Sequence, residues 1–258
     1  MNQKSAMAIA AHPDDIEFGM AGTMILLGEV GCTLHYLNIG NGSCGTAELD
    51  REQIIAIRRD EGKAAAAFIG AEFYESLVND LEIYYEPDTL AKVAAAVRAA
   101  APRILLVPAL QDYMEDHQNA SRLAVSAAFT RGMRNFDTTP QVPPIDSPMT
   151  VYHAQPHGNR DPLKHVVHPE IFVNIESTLT RKREMLACHK SQKEWLDRTQ
   201  GMDSYVLTME ELGQEVGSLS GVFKVAEGWR RHLHYGFCSE SDDPLSDALC
   251  DYVHQAKN

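Results

Sequence analysis

Six small or apolar residues, Ala6–Ala11, run together near the N-terminus and stop at His12-Pro13-Asp14-Asp15. A continuous apolar run this short, with no polar alternation, reads as a strand covered on both faces, as in a parallel sheet. Any fold for this chain must bury that strand and still end it in an imidazole and two carboxylates. The segments that follow repeat the order strand then helix. Ile16–Val30 is a predicted helix and Thr33–Ile39 a second strand, ending in the glycine-rich turn Gly40–Gly45. Asp50–Ile69 is a long predicted helix stopped by Gly70, with a short strand near Phe73. An alanine-rich helix over Asp88–Ala101 stops before Pro102. Arg103–Pro108 is the next strand, followed by the loop QDYMEDH and a helix from His117 to Gly132. This alternation predicts an α/β fold, a Rossmann-like, mostly parallel sheet flanked by helices in a single domain. Ligands of such sheets sit beyond the carboxyl ends of the strands.

The second half is less regular. Pro140–Pro148 reads as a loop, and Thr150–Ala154 and Ile171–Ile175 as strands. Glu176–Gln192 and Thr208–Gly221 read as helices. We divide the chain into a main unit over residues 1–238 and an acidic tail over 239–258, predicted to be helical. The formal net charge of −13 argues against nucleic acid, whose phosphates call for a basic face. No apolar run approaches the ~20 residues of a membrane span. The five cysteines are odd in number, scattered and never in CxxC, which suits reduced thiols and a cytoplasmic location.

The chemistry concentrates where the first strand ends. Zinc accepts imidazole nitrogen and carboxylate oxygen, and catalytic sites leave a position for water. His12 and Asp15, three residues apart across a proline turn, can supply two ligands, leaving Asp14 free to take a proton from water. A third ligand belongs on another strand's carboxyl end, and His117, closing the loop after RILLVP, fits. A lone His-x-x-Asp is common by chance; its place after a buried strand, with a second histidine-bearing acidic loop, gives it weight. No GxGxxG follows the first strand, so a dinucleotide site is not expected.

Five stretches, HPDDIEFGMAGT, RRDEGKAAAAFIG, RILLVPALQDYMEDHQNAS, ACHKSQ and GSLSGVFKVAEGW, together resemble the LmbE-like family. These are the N-acetylglucosaminylphosphatidylinositol de-N-acetylases, zinc-dependent hydrolases, and the likeness is nearest to their bacillithiol-pathway branch. The resemblance implies that His12, Asp15 and His117 are zinc ligands and Asp14 the general base. It implies that Arg58 lies near a sugar pocket and that Asp116 supports a liganding imidazole. It also implies a homo-oligomer, up to a hexamer. Fe2+ is an alternative to Zn2+ at such an N/O site.

One position departs from the family pattern. Where relatives carry an oxyanion-stabilising histidine three residues before the last ligand, this chain has Met114. Methionine has no donor to offer. The histidine-rich stretch of His153, His157, His165 and His168 is the expected replacement, with His153 and His157 foremost; a surface loop is the competing reading. Asn41, in GNGSCGT, is expected to meet the substrate, as is Arg58 or Arg59. Trp195 and Trp229 read as packing residues with sugar stacking as the alternative, and His189 as structural. The expected activity is zinc-dependent removal of the N-acetyl group from an N-acetylglucosamine-type sugar. The alternatives are hydrolysis of another amide or ester, and a catalytically weak sugar- or metal-binding relative.

Overall fold

The computed structural model describes residues 4–192 and 204–256. Its centre is β1 (Ser5–Ala10), buried along its whole length. The two-residue period of a strand sends Ala6, Ala8 and Ala10 into one apolar core and Met7 and Ile9 into the other. This is why β1 carries no polar alternation. Helices cover both faces: α1 (Asp15–Gly19), α2 (Ala21–Glu29), α3 (Arg51–Phe68) and α6 (Leu179–Leu186) lie on one side. On the other lie α4 (Pro87–Ala100) and α5 (Glu115–Thr130), which also pack on each other.

With β2 (Thr33–Asn38), β3 (Glu72–Tyr74), β4 (Ile104–Val107), β5 (Thr150–Ala154), β6 (Ile171–Asn174), β7 (Ala226–Arg231) and β8 (Val253–Gln255), the sheet runs β3-β2-β1-β4-β5-β7-β6-β8. From β3 to β5 every pairing is parallel; β7, β6 and β8 are antiparallel additions. The chain leaves β1 for β2 on one side and returns to β4 on the other. The carboxyl ends of β1 and β4 therefore flank a crevice at the point where strand order reverses.

Three expectations change. The helix predicted over Ile16–Val30 is two helices, broken at Met20, whose φ of −135° is not helical. The break gives α2 its own N-terminus, and the Glu227 carboxylate caps it: Gly22 N–H and Thr23 N–H donate to it at 2.8 and 2.7 Å. The helix predicted over Glu176–Gln192 is interrupted: a 3-10 turn precedes Leu179–Leu186, residues 187–189 are not helical, and helix resumes at 190–192. The acidic tail is helical over Pro244–Ala248 (α8) only and then pairs as β8 along β6, with Leu245 and Leu249 buried in the main core. The helix α7 spans Ser204–Ser220 and lies over β7. No helix among the described residues is long and apolar enough to cross a membrane.

Candidate active site

The turn after β1 places three of the predicted residues. Asp15 N–H donates to the His12 carbonyl, and His12 N–H donates to Asp15 Oδ2 at 2.8 Å, so the turn is tied at both ends. Asp14, between them, has φ 115°. A non-glycine residue in this left-handed region is strained, and such strain gathers at functional sites. Its carboxylate accepts from Arg58 Nη2 at 3.0 Å. The same nitrogen donates to the Pro13 carbonyl, so a residue of α3 grips the strained turn from the side. Arg58 is 2% exposed, and Gly42 makes room for it: a Cβ there would come within 2.7 Å of Arg58 Cγ, and its φ is +79°.

The turn before α5 brings His117 over from β4. Its Nε2 lies 3.5 Å from Asp15 Oδ2, and His12 Nδ1 lies 3.6 Å from the same oxygen. One ligand atom from each of His12, Asp15 and His117 falls within 4.8 Å of the other two. The outer ring nitrogens face carboxylates: His12 Nε2 is 2.9 Å from Asp116, and His117 Nδ1 is 2.9 Å from Asp112. So paired, each imidazole carries its hydrogen on the carboxylate side and turns the other nitrogen into the cluster, as in carboxylate–histidine–metal arrangements. The donor set of two nitrogens and an oxygen fits zinc or another first-row divalent ion. Burial works against a charge on Asp15, but His117 and the hydrogen bonds from His12 outweigh it and hold its pKa well below the usual carboxylate range. Burial also disfavours protonated imidazoles, yet Asp116 and Asp15 raise His12, and Asp15 and Asp112 raise His117.

A cavity of about 360 Å³ opens over the cluster, within the range of small-ligand pockets. His12, Asp14, Asp15, His117, Arg58 and His157 all reach it, as do Gly42, Cys44 and Gly45 of the glycine-rich turn. Met114 lines it too, and its backbone N–H is engaged by Asp112. Of the four clustered histidines only His157 arrives, its ring against Phe18 and Tyr113. His153 is buried beneath, bonded to the Pro108 carbonyl and to His232 at 2.9 Å each. Alternation along β5 sends it into the interior and not to the strand end. His165 and His168 are exposed, the former held by Asp161. Asn41 braces the turn by bonding Asn79 and Ser43 N–H and is not among the residues lining the cavity. Arg59 points to solvent and pairs with Glu75. Trp229 is buried, its indole N–H on Thr23, and His189 is buried 3.3 Å from Glu17. Trp195 lies outside the described residues.

Three residues of the site were not singled out from sequence. Asp112, five residues before His117 in the same strand-end loop, was visible as one more carboxylate there. Asp80 receives Gly42 N–H and Cys44 N–H, at 2.7 and 2.9 Å, and so shapes the glycine-rich turn. Tyr205, in the first turn of α7, is 8% exposed and lines the cavity, its hydroxyl buried beside Asp14. Burial and the neighbouring Asp14 charge push that hydroxyl's pKa well above 10, so it is a donor. Nothing in the local sequence of α7 points at Asp14, 191 residues away.

Residues 7–128 match the family described as PIG-L: GlcNAc-PI de-N-acetylase. A diacetylchitobiose deacetylase of Thermococcus kodakarensis is 26% identical over 196 residues, covering 73% of this chain and 70% of its own. A 4-oxalmesaconate hydratase of Pseudomonas putida is 28% identical over 204 residues, covering 74% and 75%. Among solved structures, the N,N'-diacetylchitobiose deacetylase of Pyrococcus horikoshii superposes with a TM-score of 0.75 at 22% identity, over 93% of this chain and 89% of that one. The matched residues carry the His12, Asp14, Asp15 and His117 turns on the strands that position them; over this stretch the chain is similar to the PIG-L family, and with the solved structure it shares the fold.

Proposed function

We propose that this protein is a metal-dependent N-deacetylase acting on an N-acetylglucosamine-type sugar derivative. The observation that carries the reading is the division of labour at one turn: His12 and Asp15 face His117 in a three-ligand cluster, while Asp14 stands beside it in a strained conformation. His12, Asp15 and His117 would hold a divalent cation, zinc in the first instance, which would supply Lewis-acid polarisation of the acyl carbonyl and acidify water. Asp14 accepts a proton from the attacking water and passes it to the departing amine nitrogen. Arg58 aims the Asp14 carboxylate, and Asp116 and Asp112 fix the two imidazoles. Tyr205 supplies a buried hydroxyl donor on the side where Met114 offers none. His157, its ring against Phe18 and Tyr113, borders the sugar.

The hydratase relative motivates a second reading, addition of water to an unsaturated acid. The lining argues for the first. Asp14, Asp15 and Asp80 balance Arg58 and a divalent cation at the cluster, and Arg58 is itself paired, so the lining has no spare positive charge for a polyanion and suits a neutral sugar better. The five cysteines are free, in keeping with our placement of the protein in the cytoplasm; light scattering would read the homo-oligomer we expect.

The test is amine release from a panel of N-acetylglucosamine derivatives, with stoichiometric metal, for the wild type beside Asp14→Asn. Asparagine keeps the acceptor for Arg58 and loses the base. We expect intact metal content and a loss of about 10²–10⁴-fold in kcat. Near-full turnover in the variant would remove Asp14 from the mechanism, and no amine release from any derivative would remove the deacetylase reading.

A further inference from the structure

A second, narrower cavity of about 90 Å³ adjoins the first, sharing Asp15, Phe18, His117 and His157 with it. It runs across the carboxyl ends of β1 and β4 and past β5 to β7, roofed by α7 through Met209 and Leu212. Its mouth is at two of the three clustered ligands. Asp112 and His157 add polar groups beside those ligands, apolar side chains such as Ala154, Met209 and Val216 line the cavity as well, and Lys182, Glu227 and Gln155 add polar groups where it meets β5 and β7. Lys182 is 2% exposed and pairs with Glu227 Oε1 at 2.6 Å. The two Glu227 oxygens are already engaged by Gly22 and Thr23 N–H. An ammonium has three donors, and Glu227 takes one. Gln155 donates its Nε2 to the Val167 carbonyl at 2.6 Å, while its Oε1 is buried with no partner among the described residues. Buried donors and acceptors left unpaired cost stability, so this end of the cavity calls for a guest that both donates and accepts.

We propose that the narrow cavity is an acyl subsite, shaped for a short acyl chain of about three to five carbons ending in a neutral hydroxyl or carboxamide. The proposal rests on the amide-hydrolase reading above and names which amide. Acetyl would place a single methyl group in a space that holds at least about three waters at ~30 Å³ each. A plain alkyl chain would fill the walls and leave Lys182 and Gln155 unmet. A terminal carboxylate is disfavoured, because Glu227 already neutralises Lys182 and Gln155 presents a carbonyl oxygen. A hydroxyl or carboxamide accepts from Lys182 and donates to Gln155.

The experiment compares metal-loaded protein on glucosamine carrying N-acetyl, N-butyryl, N-(4-hydroxybutyryl) and N-succinyl groups, by amine release. In parallel, calorimetry reads the binding of butyrate and 4-hydroxybutyrate to the same protein. We expect kcat/KM for 4-hydroxybutyryl to exceed acetyl and butyryl by tenfold or more, with succinyl below both. Gln155→Met, close in volume but without the acceptor, should bring the hydroxybutyryl-to-butyryl ratio near one in both assays. Leu212→Phe, narrowing the cavity, should penalise all chains longer than acetyl. A preference for acetyl, or a ratio that ignores Gln155, overturns the subsite while leaving the deacetylase intact. If no amide is cleaved, the deacetylase reading fails. The binding arm then decides alone: tighter 4-hydroxybutyrate that depends on Gln155 supports the subsite, and equal binding of the two acids overturns it.

Discussion

The helices α3 and α2 each begin at a capping carboxylate, and the two carboxylates come from opposite ends of the sequence scale. At α3, Asp50 accepts from Gln53 N–H at 2.9 Å and Gln53 reaches back to Asp50 N–H, a capping box closed within four residues. At α2, the acceptor is Glu227, more than two hundred residues downstream on β7. The first kind of contact can be found by reading along the chain, the second only after the sheet has assembled. The same contrast divides the molecule. From β1 to α5 it is built of parallel strand–helix–strand units, with a single crossover that returns β4 to the other side of β1. From β5 onward, β7 inserts between β5 and β6, and the tail returns to pair with β6.

The sharpest way to break the comparison is at Glu227. Its replacement by Gln leaves Lys182 buried without a counter-charge and weakens the cap of α2, which is joined to the turn His12–Asp15 through α1. Removing one partner of a buried pair costs about 3–5 kcal/mol. Chemical denaturation should show a loss of that order, with metal affinity falling as well, because His12 and Asp15 lie just ahead of the helix that Glu227 pins. A loss under about 1 kcal/mol would mean that the two halves are not coupled through this contact.

A smaller effect lies on the seam between the halves. His153 of β5 bonds Pro108, at the end of β4, and His232, just beyond β7. Burial, with His232 and Arg230 adding to it, lowers the His153 pKa to about 4. A histidine depressed in the folded state is protonated first in the unfolded chain. Its contribution is therefore present above about pH 6.5 and lost as pH falls towards 4, by up to about 3 kcal/mol. The stability gap between wild type and His153→Gln should narrow over that interval. A gap constant with pH would show that His153 does not titrate as placed. Tyr205→Phe tests the other contact across the halves, from α7 to Asp14. An about 10²-fold fall in kcat with little change in KM is expected if the hydroxyl meets the oxyanion. A change in KM alone would assign it to ground-state binding.

What could be read in the sequence follows the same division. The boundaries of β1, β2, β4 and β5, the α/β class, and the cluster of His12, Asp14, Asp15 and His117 were legible. Each lies at the end of an apolar run or in the turn that follows it. The break at Met20 was not, because the residue responsible for it is Glu227. AEGWRR was not assigned as a strand: its glycine and adjoining arginines give no period-two pattern, and antiparallel partners on both sides make the strand. His153 was read as a site residue from histidine density, but density along a chain says nothing about which face of a strand a side chain takes. Tyr205 and Lys182 stand on helices whose sequence gives no sign that they line the two cavities.

The local cap marks the other end of the comparison and should yield the smallest effect. Asp50→Ala removes the acceptor for Gln53 N–H on an exposed helix end, where water can replace it. Caps of this kind are worth about 1 kcal/mol. α3 also carries Arg58, whose grip on Asp14 lies two turns further along. If that grip depends on the packing of Arg58 beneath Gly42 rather than on the helix end, Asp50→Ala should cost about 1 kcal/mol of stability and leave kcat unchanged. A fall in kcat as large as that of Tyr205→Phe would show that the start of α3 positions the base, and would bring this short-range contact into the same class as the long-range one at Glu227.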